Sequence, residues 1–501
     1  EASPLKCFGE DGTMPSYQGR CKGSPQPDLD KPFTDAEIRA AIFSNKKNTA
    51  AGADKITNGM IRNLNDEAIE ALTKYINKHW LAGTVPPEWK HAIVVMVPKP
   101  GKKLAIENMR PISLTSCLGK IFEKLVNTRL LINHLEKNNL MPETMFGFRS
   151  HLSTQDVLLL LKEQVLMDIS KVGENVVMAV DMKGAFNNIC HKAILEGLEE
   201  ANCGERMFDY VKSFLSNRTA TIKLGDYKSD IIKPPNKGTP QGAVISPTLF
   251  NVAMTGLAGK LKDIAGLQHA IYADDITVWT TTGSLAEKED RLQQAANTIE
   301  EYARIRGLQC SAEKSELIRF TKRKARRIDP NLKLEVKLNG NVIPEKDTVR
   351  ILGMWLQANQ RCLHTLNQLK TSVQQISRMI SRITNNHKGM REQDTLKLVK
   401  SLVISRITYS LPYQIMNREE KEKANQIIRM AYKTALRLPR NTSNDKLLAL
   451  GLHNTIEELS EAQLLARENR LLQTPTGRAV LTKLGRDILL QMHQETKEVL
   501  S

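Results

Sequence analysis

The chain has 501 residues, 41% of them hydrophobic and 25% charged. That length and apolar content suit a multi-lobed enzyme with large cores and exclude an intrinsically disordered chain. Lysine and arginine number 72 against 55 acidic residues, a formal net charge of +17, which points to a polyanionic partner: nucleic acid first, an acidic membrane surface second.

No apolar run approaches the ~18 residues needed to span a bilayer, and the start carries no signal-peptide pattern. No membrane partner is expected, and the location is expected to be intracellular, in nucleus or cytoplasm. The seven cysteines are scattered. They lack Cys-x-x-Cys pairs and zinc-finger spacing, as suits a reducing compartment. Cys190-His191 reads as packing. The chain opens on Glu1, not Met, and reads as a fragment or processed piece.

Residues 1–32 are rich in Gly, Pro, Ser and Lys without periodicity and read as a linker or tail. Thr34-Asp35-Ala36-Glu37 opens a short helix, with Thr34 as N-cap and Glu37 closing a capping box. Ala51-Gly52-Ala53-Asp54 is a turn, and Met60 to Leu81 reads as helical. Trp89 to Val97 is an apolar strand ending at the Pro98-Lys99-Pro100-Gly101 turn. Arg110-Pro111-Ile112-Ser113-Leu114 follows as a second strand, its first residue held extended by the proline. Two strands joined by a basic turn could carry Lys99 and Arg110 to a phosphate; both also fit ordinary solvated cations. Leu118 to Leu135 is an amphipathic helix, and Phe146-Gly147-Phe148-Arg149 a loop.

Val176-Val177-Met178-Ala179-Val180 is a continuous apolar run, the mark of a strand buried on both faces. It ends in Asp181, a carboxylate that is costly there unless paired, hydrogen-bonded or metal-bound. Phe186 begins the turn into the next helix. Lys237-Gly238-Thr239-Pro240-Gln241-Gly242 is a glycine-bearing loop running into a helix at Ser246-Pro247. Its amides could face a phosphate or a base pair closely, or it could be only a loop.

Ile271-Tyr272-Ala273-Asp274-Asp275-Ile276-Thr277-Val278-Trp279 sets two adjacent carboxylates between two β-favouring runs. The pattern predicts a tight hairpin with Asp274 and Asp275 at its tip. Alone it could be a solvated turn; Asp181 is the third carboxylate that gives it force. A helix from about Leu285 to Arg306 follows, capped by Gly307. Leu308 to Ser315, including Lys314, leads into a strand over Glu316 to Phe320, and Arg350 to Leu356 is strand-like but broken at Gly353.

From residue 361 the character is helical. Leu366, Leu369, Val373, Ile376, Ile380 and Ile383 step by threes and fours, an apolar helix face with Arg378 and Arg382 off it. Residues 361–440 hold 16 Lys and Arg against 5 Asp and Glu, most of the net charge. A charge run is often a solvated face; this concentration favours a polyanion track. Residues 441–501 are helical and nearly balanced in charge.

In this order the pieces resemble a reverse transcriptase, most closely that of a non-LTR (LINE-type) retrotransposon. Seven motifs carry the resemblance: Gly52-Ala53-Asp54; Arg110 to Leu114; Phe146 to Arg149; Val180-Asp181 with Ala185-Phe186; Gly238 to Gly242 with Ser246-Pro247; Tyr272 to Asp275; and Gly307-Leu308 with Lys314. It implies an α+β, right-hand polymerase: after the tail, fingers and N-terminal palm elements over 33–175, palm with a mixed, largely antiparallel sheet over 176–357, basic helical thumb over 358–440, and a helical extension over 441–501. The implied reaction joins a primer 3′-oxygen to the α-phosphate of a deoxynucleotide, with two Mg²⁺ ions, or Mn²⁺ as substitute, clamping the attacking and leaving oxygens.

Hard cations require oxygen ligands. By resemblance these are Asp181 and Asp274, with Asp275 nearer the primer end and the Met182 carbonyl as a further ligand. Lys99 and Arg110 would hold the triphosphate, and Phe186 would exclude a ribose 2′-OH. Gln241, Gly242 and Tyr272 would meet the nascent pair or template. Lys314 would protonate the leaving pyrophosphate, and Leu352 and Gly353 would form the primer grip. The implied partners are an RNA template, a DNA primer and dNTPs; the oligomeric state is left open.

One departure is Asn187, where the family often has Asp; a local change in hydrogen bonding is expected. With neither an endonuclease nor a Cys/His knuckle in it, the chain looks like the polymerase portion only. Two rivals stand beside this reading. One is a catalytically inactive or domesticated copy that binds nucleic acid; the other is a polymerase of the group II intron or RNA-virus branch.

Overall fold

The computed structural model describes residues 24–486 apart from 102, 168–173, 322–332, 385–388, 440, 450 and 452. Most of the predicted tail and the last stretch of the C-terminal extension therefore lie outside the described residues. The chain divides into two compact units, one of Glu1–Met145, Met182–Lys260 and Thr298–Cys310, the other of Phe146–Asp181, Leu261–Asn297 and Ser311–Ser501. Helices and sheets occur in both, and the first unit's sheet mixes parallel and antiparallel pairs, so the class is α+β. No helix among the described residues is long and apolar enough to cross a membrane.

In the first unit a four-stranded sheet runs in the order Met109–Leu114, His91–Pro98, Thr219–Leu224, Tyr227–Lys228, with the His91 and Thr219 strands parallel. Around it pack helices whose aromatic side chains interlock: Phe122 and Tyr210 meet at 4.7 Å between ring centroids, and Trp80 is fully buried. The Thr34–Glu37 capping box forms as expected.

In the first unit three boundaries differ from the sequence expectation. Trp89 lies in a helical turn, Pro87–Lys90, because Pro87 sits where a helix starts, and the strand begins only at His91. Residues 60–81 are not one helix: Asn65 caps a fresh start at Asp66 by accepting from the Ala68 amide. Of the predicted tail, Pro27–Asp30 form a helical turn with Leu29 buried.

The second unit is built on a four-stranded sheet ordered Gln268–Tyr272, Asp275–Thr280, Asn175–Met182, Cys310–Phe320. Val176, Val177 and Met178 are fully buried in its central strand, as a continuous apolar run requires. The fourth strand begins six residues before the expected Glu316. Its polar start is satisfied by pairing: the Asp181 amide donates to Ser315 Oγ at 3.1 Å, and that hydroxyl donates to the Ser311 carbonyl at 2.7 Å. Composition hides such a strand because one of these matches needs Asp181, far along the chain.

A helical cluster follows. On Leu363–Ile383 the predicted stripe buries Leu366, Val373 and Ile380, with Leu369 and Ile376 against the same core. Ile383 is left exposed, so the stripe stops one turn early.

His269, buried in the first strand of this sheet, gives a pH test of stability. Burial, then Lys483 and Lys262, lower its pKa from 6.5 to about 4. Between those values the unfolded chain takes up a proton that the folded chain refuses, so stability rises with pH. Acidification from pH 6.5 to 4 should cost about 3 kcal/mol through this group. Urea unfolding of His269→Gln across the window should show a flatter dependence; an unchanged slope would remove His269 from the account.

Candidate active site

The acidic site forms at one end of the second unit's sheet. Tyr272 pairs with Asp275 across a two-residue turn, in which Ala273 is held at a φ of 57°. An L-residue in that left-handed region stores of the order of 1 kcal/mol and persists only where its surroundings dictate it. Part of that support is the Phe146-Gly147 loop. The Phe146 amide donates to the Ile271 carbonyl at 2.9 Å, and a Cβ at Gly147 would lie 2.7 Å from the Ala273 nitrogen, so only glycine fits behind the turn.

Register brings in the third acid. Val180 pairs with Ile276 in an antiparallel ladder; one step further sets Asp181 opposite Asp275. Directly opposed like charges destabilise a sheet. The electrostatics register that conflict. Burial first, then the Asp274 and Asp181 carboxylates, pushes Asp275 up to about 6. Burial and Asp181 also raise Asp274, against a backbone hydrogen bond that lowers it. The trio is coupled without being a closed cage: no group of three or more His, Cys, Asp or Glu among the described residues is gathered to hold a metal ion. Met182 follows in the first unit.

A small cavity of about 120 Å³ lies beside the acids, lined by Asp181, Asp275, Lys314, Arg350 and Leu352 among others. The Thr348–Ile351 and Met354–Gln357 strands close a hairpin whose turn is Leu352-Gly353, both at positive φ. Leu352 and Lys314, named separately from the sequence, thus share one cavity with two of the carboxylates. Arg350 was read only as the start of a strand; its signal was a cation two residues ahead of the turn.

The remaining candidates lie in the first unit. Lys99 and Arg110 sit at the loop end of one antiparallel hairpin, where Val97 pairs with Arg110 and the Lys99 amide donates to the Asn108 carbonyl. At the other end of the Arg110 strand, the Ser113 amide donates to the Gln241 carbonyl at 2.6 Å, and Gly242 lies beside the Ser113 carbonyl. Gln241 Nε2 donates to Asn187 Oδ1 at 3.1 Å, and the Thr239 amide donates to the Phe186 carbonyl. The Arg110 strand, the Phe186-Asn187 turn and the Gln241 loop are therefore one hydrogen-bonded assembly. The Phe186 ring packs on Phe250 with centroids 4.7 Å apart.

His191, which the sequence reading took as packing beside Cys190, also locks this loop by donating Nε2–H to the Gly238 carbonyl at 2.9 Å. A cavity of about 620 Å³ opens here, lined by His191, Arg218, Lys233 and Lys237 among others, with no acidic residue in its wall. Arg218 and Lys233 carried no sequence signal beyond their charge.

The chain is 28% identical over 411 residues to the RNA-directed DNA polymerase from mobile element jockey of Drosophila melanogaster, covering 80% of this chain and 43% of that protein. It is 26% identical over 368 residues to the probable RNA-directed DNA polymerase from transposon BS of the same organism, covering 70% of this chain and 40% of that protein. The chain thus spans about two fifths of the length of these curated relatives. Among solved structures, an apo telomerase from Candida Tropicalis truncated from its C-terminal domain aligns at 14% identity and a TM-score of 0.38, covering 60% of this chain and 59% of that one. The family model for reverse transcriptase (RNA-dependent DNA polymerase) matches residues 97–356, more than half of the chain, and the chain belongs to that family.

Proposed function

We propose that this chain is the polymerase portion of a non-LTR retrotransposon, an RNA-directed DNA polymerase that extends a DNA primer on an RNA template with dNTPs. The observation that carries the reading is the coupled acidic trio: Asp181 faces Asp275 across the sheet, and Asp274 stands beside them. Such repulsion between hard oxygen donors fits divalent cations, which would draw the carboxylates together and offset it. Two Mg²⁺ ions, when bound, supply Lewis-acid stabilisation of the attacking and leaving oxygens.

The chain's own groups do the rest. Asp181 and Asp274 would hold the ions, with Asp275 nearer the primer end and the Met182 carbonyl as a further donor. Lys99 and Arg110 neutralise the triphosphate. The primer 3′-hydroxyl gives its proton to solvent water and its oxygen bonds to the α-phosphorus as the bond to pyrophosphate breaks; the Lys314 ammonium would protonate that leaving group. Gln241, Gly242 and Tyr272 hold the nascent pair, and Leu352-Gly353 supports the primer. With fingers over 33–175, palm over 176–357 and a helical thumb over 358–440, exposed cations such as Lys370, Arg378 and Arg382 would track the duplex. Binding should then weaken steeply with salt.

Primer extension on an RNA template with Mg²⁺ and dNTPs tests this. Duplex binding without extension would favour the non-catalytic nucleic-acid binder and overturn the polymerase reading. Sugar choice tests one residue further. The Phe186 ring is backed by Phe250, so Phe186→Val should open space for a 2′-hydroxyl and raise ribonucleotide incorporation by roughly 10²-fold. Unchanged discrimination in a competition assay would strip Phe186 of that role.

A further inference from the structure

We infer that Tyr409 is a positioning residue that sets the Leu352-Gly353 turn against the catalytic hairpin. This rests on the polymerase reading for its consequence, but its geometry stands alone. The Thr348–Gln357 hairpin is a separate two-stranded sheet and not a strand of the four-stranded sheet that carries the aspartates. Among the described residues the backbone hydrogen bonds that tie this hairpin to that sheet lie at its base, Leu317 with Pro344 and Lys346, and Thr321 with Ala358, and not at the turn.

Tyr409 supplies the link from the Ser405–Ser410 helix. Its Oη donates to the Leu352 carbonyl at 2.6 Å. That bond uses the phenol's only proton, so at the 3.0 Å contact with Thr154 Oγ1 the threonine donates. Gln155 Nε2 donates to the Tyr409 carbonyl at 3.3 Å, which fixes the helix that bears the ring. The ring itself fills the space beside Gly353: a Cβ there would lie 3.1 Å from Tyr409 Cε1, with φ at 88°. Tyr272 of the catalytic hairpin, Leu352 and Tyr409 all pack on one core cluster. Leu352 stays at a φ of 44° although it carries a branched side chain. Such a conformation persists when neighbours over-determine it, and the Tyr409 hydroxyl and ring are those neighbours.

Tyr409→Phe keeps the ring and removes only the hydroxyl. The melting temperature should be unchanged, while amide exchange at 352–354 should accelerate about 10-fold and exchange in the 271–279 hairpin should not. In single-turnover nucleotide addition the rate should fall roughly 10- to 100-fold, the scale of a displaced reacting terminus, with affinity for the primer–template duplex retained. Thr154→Val, which spares the Leu352 bond, should show a smaller change of the same kind. Parental exchange at 352–354 in Tyr409→Phe overturns the brace, and parental addition rates with altered exchange overturn its role in positioning. If the parent chain itself adds no nucleotide, the polymerase reading fails, while the exchange measurement still decides the brace.

Discussion

Asp274→Asn should lower nucleotide addition by about 10³-fold or more, the scale seen when a preorganised electrostatic partner of the transition state is lost. The substitution is nearly isosteric and removes one charge. Asp274 is one of the like charges that push Asp275 up to about 6. Its neutralisation should therefore relieve the metal-free protein, and the melting temperature should hold or rise. Mg²⁺ should shift the melting temperature of the parent more than that of the variant, because a ligand specific to the folded state stabilises by mass action. Activity and stability thus move in opposite directions, which a structural defect does not produce. Primer extension and thermal melting with and without Mg²⁺ check both. A variant that extends primers as the parent does ends the assignment of Asp274 to the cations.

Arg467→Ala should cost about 3–5 kcal/mol of stability, the penalty for stranding a buried charge. Asp156 is fully buried and the Arg467 side chain is 4% exposed, with 3.3 Å between their charged atoms. Burial raises the Asp156 pKa, and Arg467 is the first group acting against that rise. Asp156 also closes the cap of the Thr154–Leu160 helix by accepting from the Ser153 amide at 2.6 Å. Without Arg467 the folded carboxyl, already raised by burial, would titrate still further above its unfolded value. The folded state would then bind the extra proton, so stability would fall as pH rises. The deficit should be largest near neutral pH and shrink towards pH 4. Urea unfolding at two pH values measures it. Replacing both partners with apolar residues should recover much of the loss. A deficit under about 1 kcal/mol, or one that grows on acidification, would contradict the pairing. The contact also gives residues 441–486 a use that their balanced charge did not disclose: the Ile456–Leu472 helix anchors the helix bearing Thr154, and through it Tyr409.

Much of the site was legible because its chemistry is local. A run such as Val176 to Val180 can only be a buried strand, and an acid at its end demands a partner. The hairpin over 271–279 follows from its two β-favouring runs, although its turn falls at Ala273-Asp274, one residue before the expected Asp274-Asp275. The basic excess after 361 follows from counting. These readings depend on neighbours within a few residues, and the backbone responds to such neighbours directly.

Tertiary structure decided what depends on partners far along the chain. The polar strand starting at Cys310 is satisfied because Ser315 Oγ accepts from the Asp181 amide across the sheet and donates to the Ser311 carbonyl of its own strand. The helix break before Asp66 was nearer to hand, yet an asparagine cap competes with helix propensity too evenly for a window sum to settle. The opposition of Asp181 to Asp275 is a matter of register, and a slip of one residue would turn either side chain to the other face. Tyr409 at the Leu352 carbonyl and Arg467 at Asp156 leave no periodic trace, since one hydrogen bond or ion pair constrains a single side chain. Residue types determined which chemistry this chain could perform; burial and strand pairing, which act without regard to sequence distance, determined which of those groups meet.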